Sequence, residues 1–330
     1  MLALLRGVSR SFYLSIRLLP APLRRPIAVA YLLARAADTL ADTGDLPAGE
    51  RQAVLQKWAS AVAGGAGASA ASELAAMFAP LQHDDAERKL IMALPLCLSW
   101  LDELAAPDRD DVRAVLHHIT DGQALDIERF TSGKTPSALE SAAQLHEYTY
   151  LVAGCVGEFW TDLCARHVPG FARLPLRQMR ELGRGFGVAL QLVNILRDAG
   201  PDLAAGRCYF PAGELAAAGL APEDILREPA RFEAVWHRWQ VQAGQGLELG
   251  MRYADAVNNR RVRAACAIPA LLAARTLALM RAAGSARLQH KVKVPRHEVR
   301  AILARLAVTL AGRAPLQSSF ARLRWDNPGP

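Results

Sequence analysis

Apolar residues recur at three- and four-residue spacing along almost the whole chain, and runs that alternate apolar with polar residues are absent. Three- and four-step spacing gathers side chains on one face of a helix, whereas a half-buried strand needs strict alternation. The pattern therefore predicts an all-α protein, with helices over 9–19, 25–42, 48–62, 84–104, 108–131, 137–167, 175–198, 232–258, 261–283 and 296–312. The breaks between them are Gly64 to Ala71 (GGAGASAA), Pro169-Gly170, the stretch from Ala199 to Gly213, Ala221-Pro222 and a Gly-Pro tail. None is long or polar enough for an interdomain linker, and no internal repeat is visible, so one domain over 1–330 is expected, its last roughly 15 residues a tail.

A chain of 330 residues that is 52% hydrophobic can bury a sizeable core. Its 39 Lys and Arg exceed 32 Asp and Glu by +7, but the signs are interleaved and no basic tail exists, which argues against a nucleic-acid partner. Five scattered cysteines with no C-x-x-C pair argue against a disulfide framework or a structural zinc. Arg6 and Arg10 interrupt any signal-peptide core. The most apolar stretch, Ala264 to Ala274, is eleven residues long and contains Pro269, against the about 20 that a spanning helix needs. A cytoplasmic protein is expected, monomeric or a weak homodimer; peripheral attachment at the inner face of a membrane stays open, because the surplus charge is positive.

Two constellations carry chemistry. In YLLARAADTLAD, Tyr31, Arg35, Asp38 and Asp42 follow steps of four, three and four, so all four share one helical face. Two carboxylates one turn apart repel unless a cation lies between them, and Mg²⁺ commonly takes one or two carboxylates while keeping positions for water and phosphate oxygens. In GRGFGVALQLVNILRDAGPD, a stripe of Gly183, Gly187, Gln191, Asn194 and Asp198 runs through an otherwise apolar helix, with Asp202 four residues on. The glycines on that stripe are expected to leave room for a bulky ligand. Either motif alone also fits a wetted helix face. Two acidic motifs on separate helices fit divalent ions around a diphosphate, which with nearby arginines stabilise the charge that leaves as a carbon–oxygen bond ionises. An apolar pocket would shelter the carbocation.

SRSF at 9–12, the 31–42 segment, YTYLVAGCVG at 148–157, QLVNILRD at 191–198 followed by Asp202, GRCYFP at 206–211 and CAIP at 266–269 together resemble, in order and approximate spacing, the squalene and phytoene synthase family. The R-A-A-D-T form and CAIP look more like the squalene-synthase branch. The resemblance implies a single-domain, isoprenoid-synthase-type helical bundle around a central prenyl cavity. It implies head-to-head (1'-1) condensation of two farnesyl diphosphates through presqualene diphosphate to squalene, with NADPH reduction and Mg²⁺, or Mn²⁺ in its place. By position, Asp38, Asp42, Asn194, Asp198 and Asp202 would bind the metal, and the four aspartates with Tyr148 would be the catalytic set. Ser9, Phe12, Tyr31, Arg35, Gln191, Asn194, Arg197 and Arg207 would serve diphosphate binding. Arg10, Arg35, Arg197 and Lys293 would serve NADPH.

The chain departs from that pattern in places. Ala41 stands where an extra acid is common, Ala265 replaces an aromatic, and Pro295 occupies a position that can be basic. Pro201 removes an N–H and disfavours helix at Gly200, so the helix is expected to kink or end near Asp198. Alternatives within the resemblance are a presqualene diphosphate or hydroxysqualene synthase, and a phytoene or dehydrosqualene synthase without NADPH. Outside enzymes, the alternative is a non-catalytic helical lipid-binding protein.

Overall fold

The computed structural model describes residues 1–9, 11–42, 46–64, 67–130, 135–311 and 316–323. The chain divides into two compact units: unit 1 holds Met1–Thr131 and Asp162–His167, and unit 2 holds Ser132–Thr161 and Val168–Pro330. Arg10 and the Gly-Pro tail lie outside the described residues.

Unit 1 contains α1 (Leu2–Val8), α2 (Ser11–Leu18), α3 (Ala21–Ala41), α4 (Ala48–Ala63), α5 (Gly67–Phe78), α6 (Asp85–Met92), α7 (Leu94–Asp102) and α8 (Ala106–Arg129). At its centre, α3 packs against α4, α7 and α8. Its small residues Ala28, Ala30, Ala36 and Ala37 let neighbours approach from several sides, while Leu23, Ile27, Leu33 and Leu40 fill the core. The expected helix over 84–104 is two helices, because Pro95 has no N–H to give back to the preceding turn. The small residues read as a break at 64–71 partly belong to α5. Gly64, at φ +102°, caps α4, and the alanine-rich stretch from Gly67 is helical on its own propensity, burying Ala71, Leu74 and Phe78. In the first turn of α8 the buried carboxylate of Asp108 accepts hydrogen bonds from Arg166 (2.7 Å) and from His167 Nε2 (2.8 Å).

Unit 2 contains β1 (Ser137–Leu139), α9 (Ala142–Thr149), a π-helical turn (Tyr150–Gly154), the Cys155–Thr161 part of α10 (Cys155–His167), α11 (Leu176–Ala204), β2 (Arg207–Pro211), α12 (Ala212–Ala217), α13 (Pro229–Ala256), α14 (Arg260–Ala283), α15 (Arg296–Ala311) and α16 (Gln317–Ala321). The single helix expected over 137–167 is corrected. Residues 137–139 pair in parallel with β2, and Ser141 starts α9 by accepting a bond from the Gln144 N–H.

Of the kink or end expected near Asp198, the end is corrected, since α11 continues through Pro201 to Ala204. Pro201 stands three residues from the helix end, where only one intrahelical bond is lost. Gly200 is helical and lies against the 3₁₀ turn Gly284–Leu288; an added Cβ would meet the Leu288 carbonyl oxygen at 1.8 Å. That turn is anchored by Arg287, buried with its guanidinium 3.8 Å from the Trp236 ring centre and bonded to Glu233. We predict that Gly200→Ala destabilises the protein by about 1–3 kcal/mol through this backbone clash, read as a lowered Tm.

Helix α14 and the turn after it are long and apolar enough to cross a membrane, but most of their apolar stretch is buried inside the protein. It is a core helix packed on α11, α13 and α15. Trp236 and Trp239 are packing residues at 1% exposure. None of the five cysteines forms a disulfide and all are buried, and burial pushes the thiols of Cys97, Cys155, Cys208 and Cys266 up to about 12.

Candidate active site

In unit 1 the first acidic motif forms one assembly with the SRSF segment. Along α3, Arg35 forks: one guanidinium nitrogen bonds Asp38 and the other bonds Glu87 of α6. Tyr31 donates to the Val8 carbonyl at 3.3 Å, and its ring stacks on Phe12 with centroids 5.5 Å apart. Ser9 is buried and accepts the Tyr13 N–H at 3.2 Å. Asp42 caps α3, its N–H bonded to the Asp38 carbonyl at 2.9 Å. Ser9, Phe12, Tyr31, Arg35, Asp38 and Asp42 thus belong to one surface of unit 1.

Among the described residues, Arg35 supplies the positive charge beside Asp38 in unit 1. Asp38 keeps 44% of its side-chain surface, yet it is recessed among protein atoms. Burial, and then the neighbouring Asp42 carboxylate, raise its pKa to about 6 despite the opposing pull of Arg35.

In unit 2 the second motif is rich in positive charge. Asp198 Oδ2 accepts from Arg197 at 2.5 Å and Oδ1 lies 2.9 Å from Lys291 Nζ. Burial alone would raise its pKa, but the hydrogen bonds and charges of Arg197 and Lys291 outweigh it and hold Asp198 below the ordinary carboxylate range. One turn on, Asp202 accepts from Arg207 at 3.0 Å, and one turn back Asn194 donates to Gln191 at 3.2 Å. Arg207 reaches Asp202 because β2 follows α11 directly and pairs with β1, with Ser137 opposite Arg207. The same strand brings Tyr209 under Tyr148, the rings stacked at 5.1 Å.

Tyr148 lies in the last turn of α9, one residue before its end at Thr149 and the π-helical turn that follows. A π-turn inserts a residue into helical register and is frequent at functional sites. Here it turns the 150–157 backbone against α11. A Cβ on Gly157 would lie 1.9 Å from the Gly183 carbonyl oxygen, and one on Gly187 would lie 2.1 Å from the Ala153 carbonyl oxygen. The room expected beside Gly183 and Gly187 for a ligand is therefore occupied by the protein's own backbone.

Lys293 is exposed, with no ion pair among the described residues; the lysine placed on the acidic motif is Lys291, two residues earlier. Sequence reading also missed Glu87 and Tyr209. Tyr209 lies inside GRCYFP and Lys291 inside HKVK, so both had a local signal, but Glu87 had none.

Among the described residues no group of three or more His, Cys, Asp or Glu forms a complete metal cage. Carboxylate pairs of this kind suit a hard cation that takes few protein oxygens and completes its shell with water and phosphate. The recessed Asp38–Asp42 pair, whose mutual repulsion a cation would relieve, fits that donor chemistry.

The chain belongs to the squalene/phytoene synthase family, whose sequence model matches residues 5–298, and the family consists of prenyltransferase-type enzymes. The bifunctional lycopene cyclase/phytoene synthase of Leptosphaeria maculans is 32% identical over 238 residues, which cover 70% of this chain and 37% of that protein. The chain thus spans little more than a third of the length of that relative. Among solved structures, TcSQS in complex with a ligand superposes with a TM-score of 0.76 at 20% identity, covering 98% of this chain and 94% of that one. A dehydrosqualene synthase complex gives 0.66 at 22%, covering 94% and 95%. At these identities the structures establish the fold, which is the all-α fold expected from the sequence.

Proposed function

We propose that the protein is a squalene synthase, joining two farnesyl diphosphates head to head through presqualene diphosphate and reducing the product with NADPH. The observation that carries this reading is the second motif: Asp198 held ionised by Arg197 and Lys291, with Asp202 and Arg207 one turn further along. Asp38, Asp42, Asn194, Asp198 and Asp202 are the residues to hold Mg²⁺, which when bound supplies Lewis-acid stabilisation of the departing diphosphate. Arg197, Arg207 and Lys291 each have N–H groups for phosphate oxygens, and Arg35 and Arg207 can meet them with a bidentate fork. Tyr148 is half-buried and stacked on Tyr209. Its phenol O–H suits a positioned donor and proton relay at cyclopropane formation, with released diphosphate as base. NADPH supplies the final hydride, and Arg35, Arg197 and Lys293 are the described residues assigned to it.

A second reading, a phytoene or dehydrosqualene synthase that loses a proton in place of accepting hydride, is favoured by the phytoene synthase activity in the curated relative's name. Incubation with farnesyl diphosphate and Mg²⁺, with and without NADPH, separates the two. Squalene with NADPH, and presqualene diphosphate without it, are expected. Phytoene from geranylgeranyl diphosphate, indifferent to NADPH, overturns the squalene reading. Tight diphosphate binding with no release overturns catalysis altogether and favours a lipid-binding protein.

The raised pKa of Asp38 gives a pH prediction. Proton and cation compete for the same carboxylate, so apparent Mg²⁺ affinity falls up to about tenfold per pH unit below 6 and levels off above it. In metal-free protein the sign for stability is the reverse. A raised carboxyl contributes stability below its ordinary 3.8 that is lost as pH rises through about 6. Asp198, with its lowered pKa, contributes above 3.8 and acts only in more acid solution. Metal-free Tm is therefore expected to fall between pH 4 and 6.5, and Mg²⁺ to restore it at pH 6.5 but not at pH 4. Scanning calorimetry with EDTA and with Mg²⁺ reads both.

A further inference from the structure

Unit 2 has a cationic cavity of about 580 Å³, lined by Arg173, Arg260, Arg263, Asp255, Asn258 and Leu310 among others. It is remote from the acidic motif of the same unit. Arg173 precedes the first residue of α11, whereas Asp198 is 22 residues along that helix, roughly 33 Å away at 1.5 Å per residue.

The cavity is built from fixed parts. Ala172 and Val257 form an isolated antiparallel bridge, Asn258 donates from its backbone to Phe171 at 2.7 Å and from its side chain to Gly170 at 2.8 Å, and Arg173 donates to the Asp255 carbonyl. Asp255 Oδ1 accepts from Arg263 at 2.6 Å and from the Leu316 N–H at 3.0 Å, so this carboxylate is already committed. Among the described lining residues three arginines stand with one aspartate, at the start of α14 where the helix dipole adds to their positive charge. Arg260 is exposed and has no ion-pair or hydrogen-bond partner among the described residues. Guanidinium groups gathered this way match the oxygens of a phosphate group. Beside Arg173 the chain exposes Leu174 (37%) and Leu176 (39%). Apolar side chains next to a cationic pocket are the pattern of a surface that rests on an anionic bilayer.

We propose that this pocket binds the phosphate of an anionic phospholipid headgroup, with Leu174 and Leu176 entering the bilayer interface. The site would hold the protein at the surface into which an apolar product must be delivered, and it does not depend on which terminating step the enzyme uses.

The test is co-sedimentation of the full chain with phosphatidylglycerol/phosphatidylcholine vesicles and with pure phosphatidylcholine vesicles. Wild type is expected to bind the anionic vesicles and to be released as salt rises from about 0.05 to about 0.5 M. Arg173→Gln and Arg260→Gln should each weaken binding about fivefold, and the double variant about 25-fold, the weight of one cation each at an anionic surface. The charge-matched control R227Q/R231Q, elsewhere on unit 2, should bind like wild type, and all variants should keep the wild-type far-UV circular dichroism and turnover of farnesyl diphosphate in lipid-free assay. Equal binding by the double variant and the control overturns the proposal. Inorganic phosphate raising the Tm of wild type but not of the double variant, with no vesicle binding, assigns the pocket to a soluble phosphate ester and overturns the lipid source.

Discussion

Asp198→Asn is expected to lower the rate of diphosphate release by about a thousandfold while leaving the protein folded. Asparagine keeps the size of the side chain but removes the charge that Arg197 and Lys291 share. The metal-binding oxygen weakens, and the two cations lose the counter-charge that orders them. Removing one preorganised electrostatic contact to a developing anion typically slows a reaction by about 10²–10³, and loss of a metal ligand adds to this. Far-UV circular dichroism should be unchanged, because Asp198 is only partly buried. Asp38→Asn in unit 1 should have an effect of the same order, with its loss of rate less dependent on pH between 5 and 7, since the replaced carboxyl is the one raised to about 6. Near-wild-type release by either variant would show that the motif does not hold the ion.

Gly157→Leu carries the second large effect, on stability. The Cβ position at Gly157 is 1.9 Å from a backbone oxygen of α11, and backbone cannot rotate away as a flexible side chain does. The segment carrying Tyr148 and the π-turn must separate from α11, at a cost of about 3 kcal/mol or more, so little soluble protein should be recovered at 37 °C. Gly213→Ala is the matched control. Nothing lies within 4 Å of that position, and alanine in place of glycine within a helix adds up to about 1 kcal/mol of stability. Urea unfolding of the two variants reads both outcomes.

These effects also mark where sequence reading succeeded. Helices α3, α8, α11, α13 and α14 were legible because each is long and keeps its apolar period over many turns. The pairings within each motif were legible because a spacing of three places Arg35 beside Asp38 and Gln191 beside Asn194 without help from the rest of the fold. Reading failed where a tertiary contact decides. Gly183 and Gly187 have the look of space for a ligand, and only the packing of the π-turn shows that backbone fills it. Pro201 reads as a stop, but its place near the helix end costs one bond and Gly200 is clasped by Leu288. Glu87 meets Arg35 from a separate helix 52 residues away, with no local signal. Lys291 and Lys293 are equivalent in HKVKVPR, and only the path of the chain after α14 sets Lys291 on Asp198.

The claim at the centre of this account is that the two aspartate motifs ionise prenyl diphosphates to join two of them. Its most direct measurement is diphosphate release and prenyl product from labelled farnesyl diphosphate as Mg²⁺ is titrated into metal-stripped protein with NADPH present. No release is expected without the metal, and with it a product of twice the substrate's carbon number. Release from metal-free protein, or farnesol as the only labelled product, would contradict it.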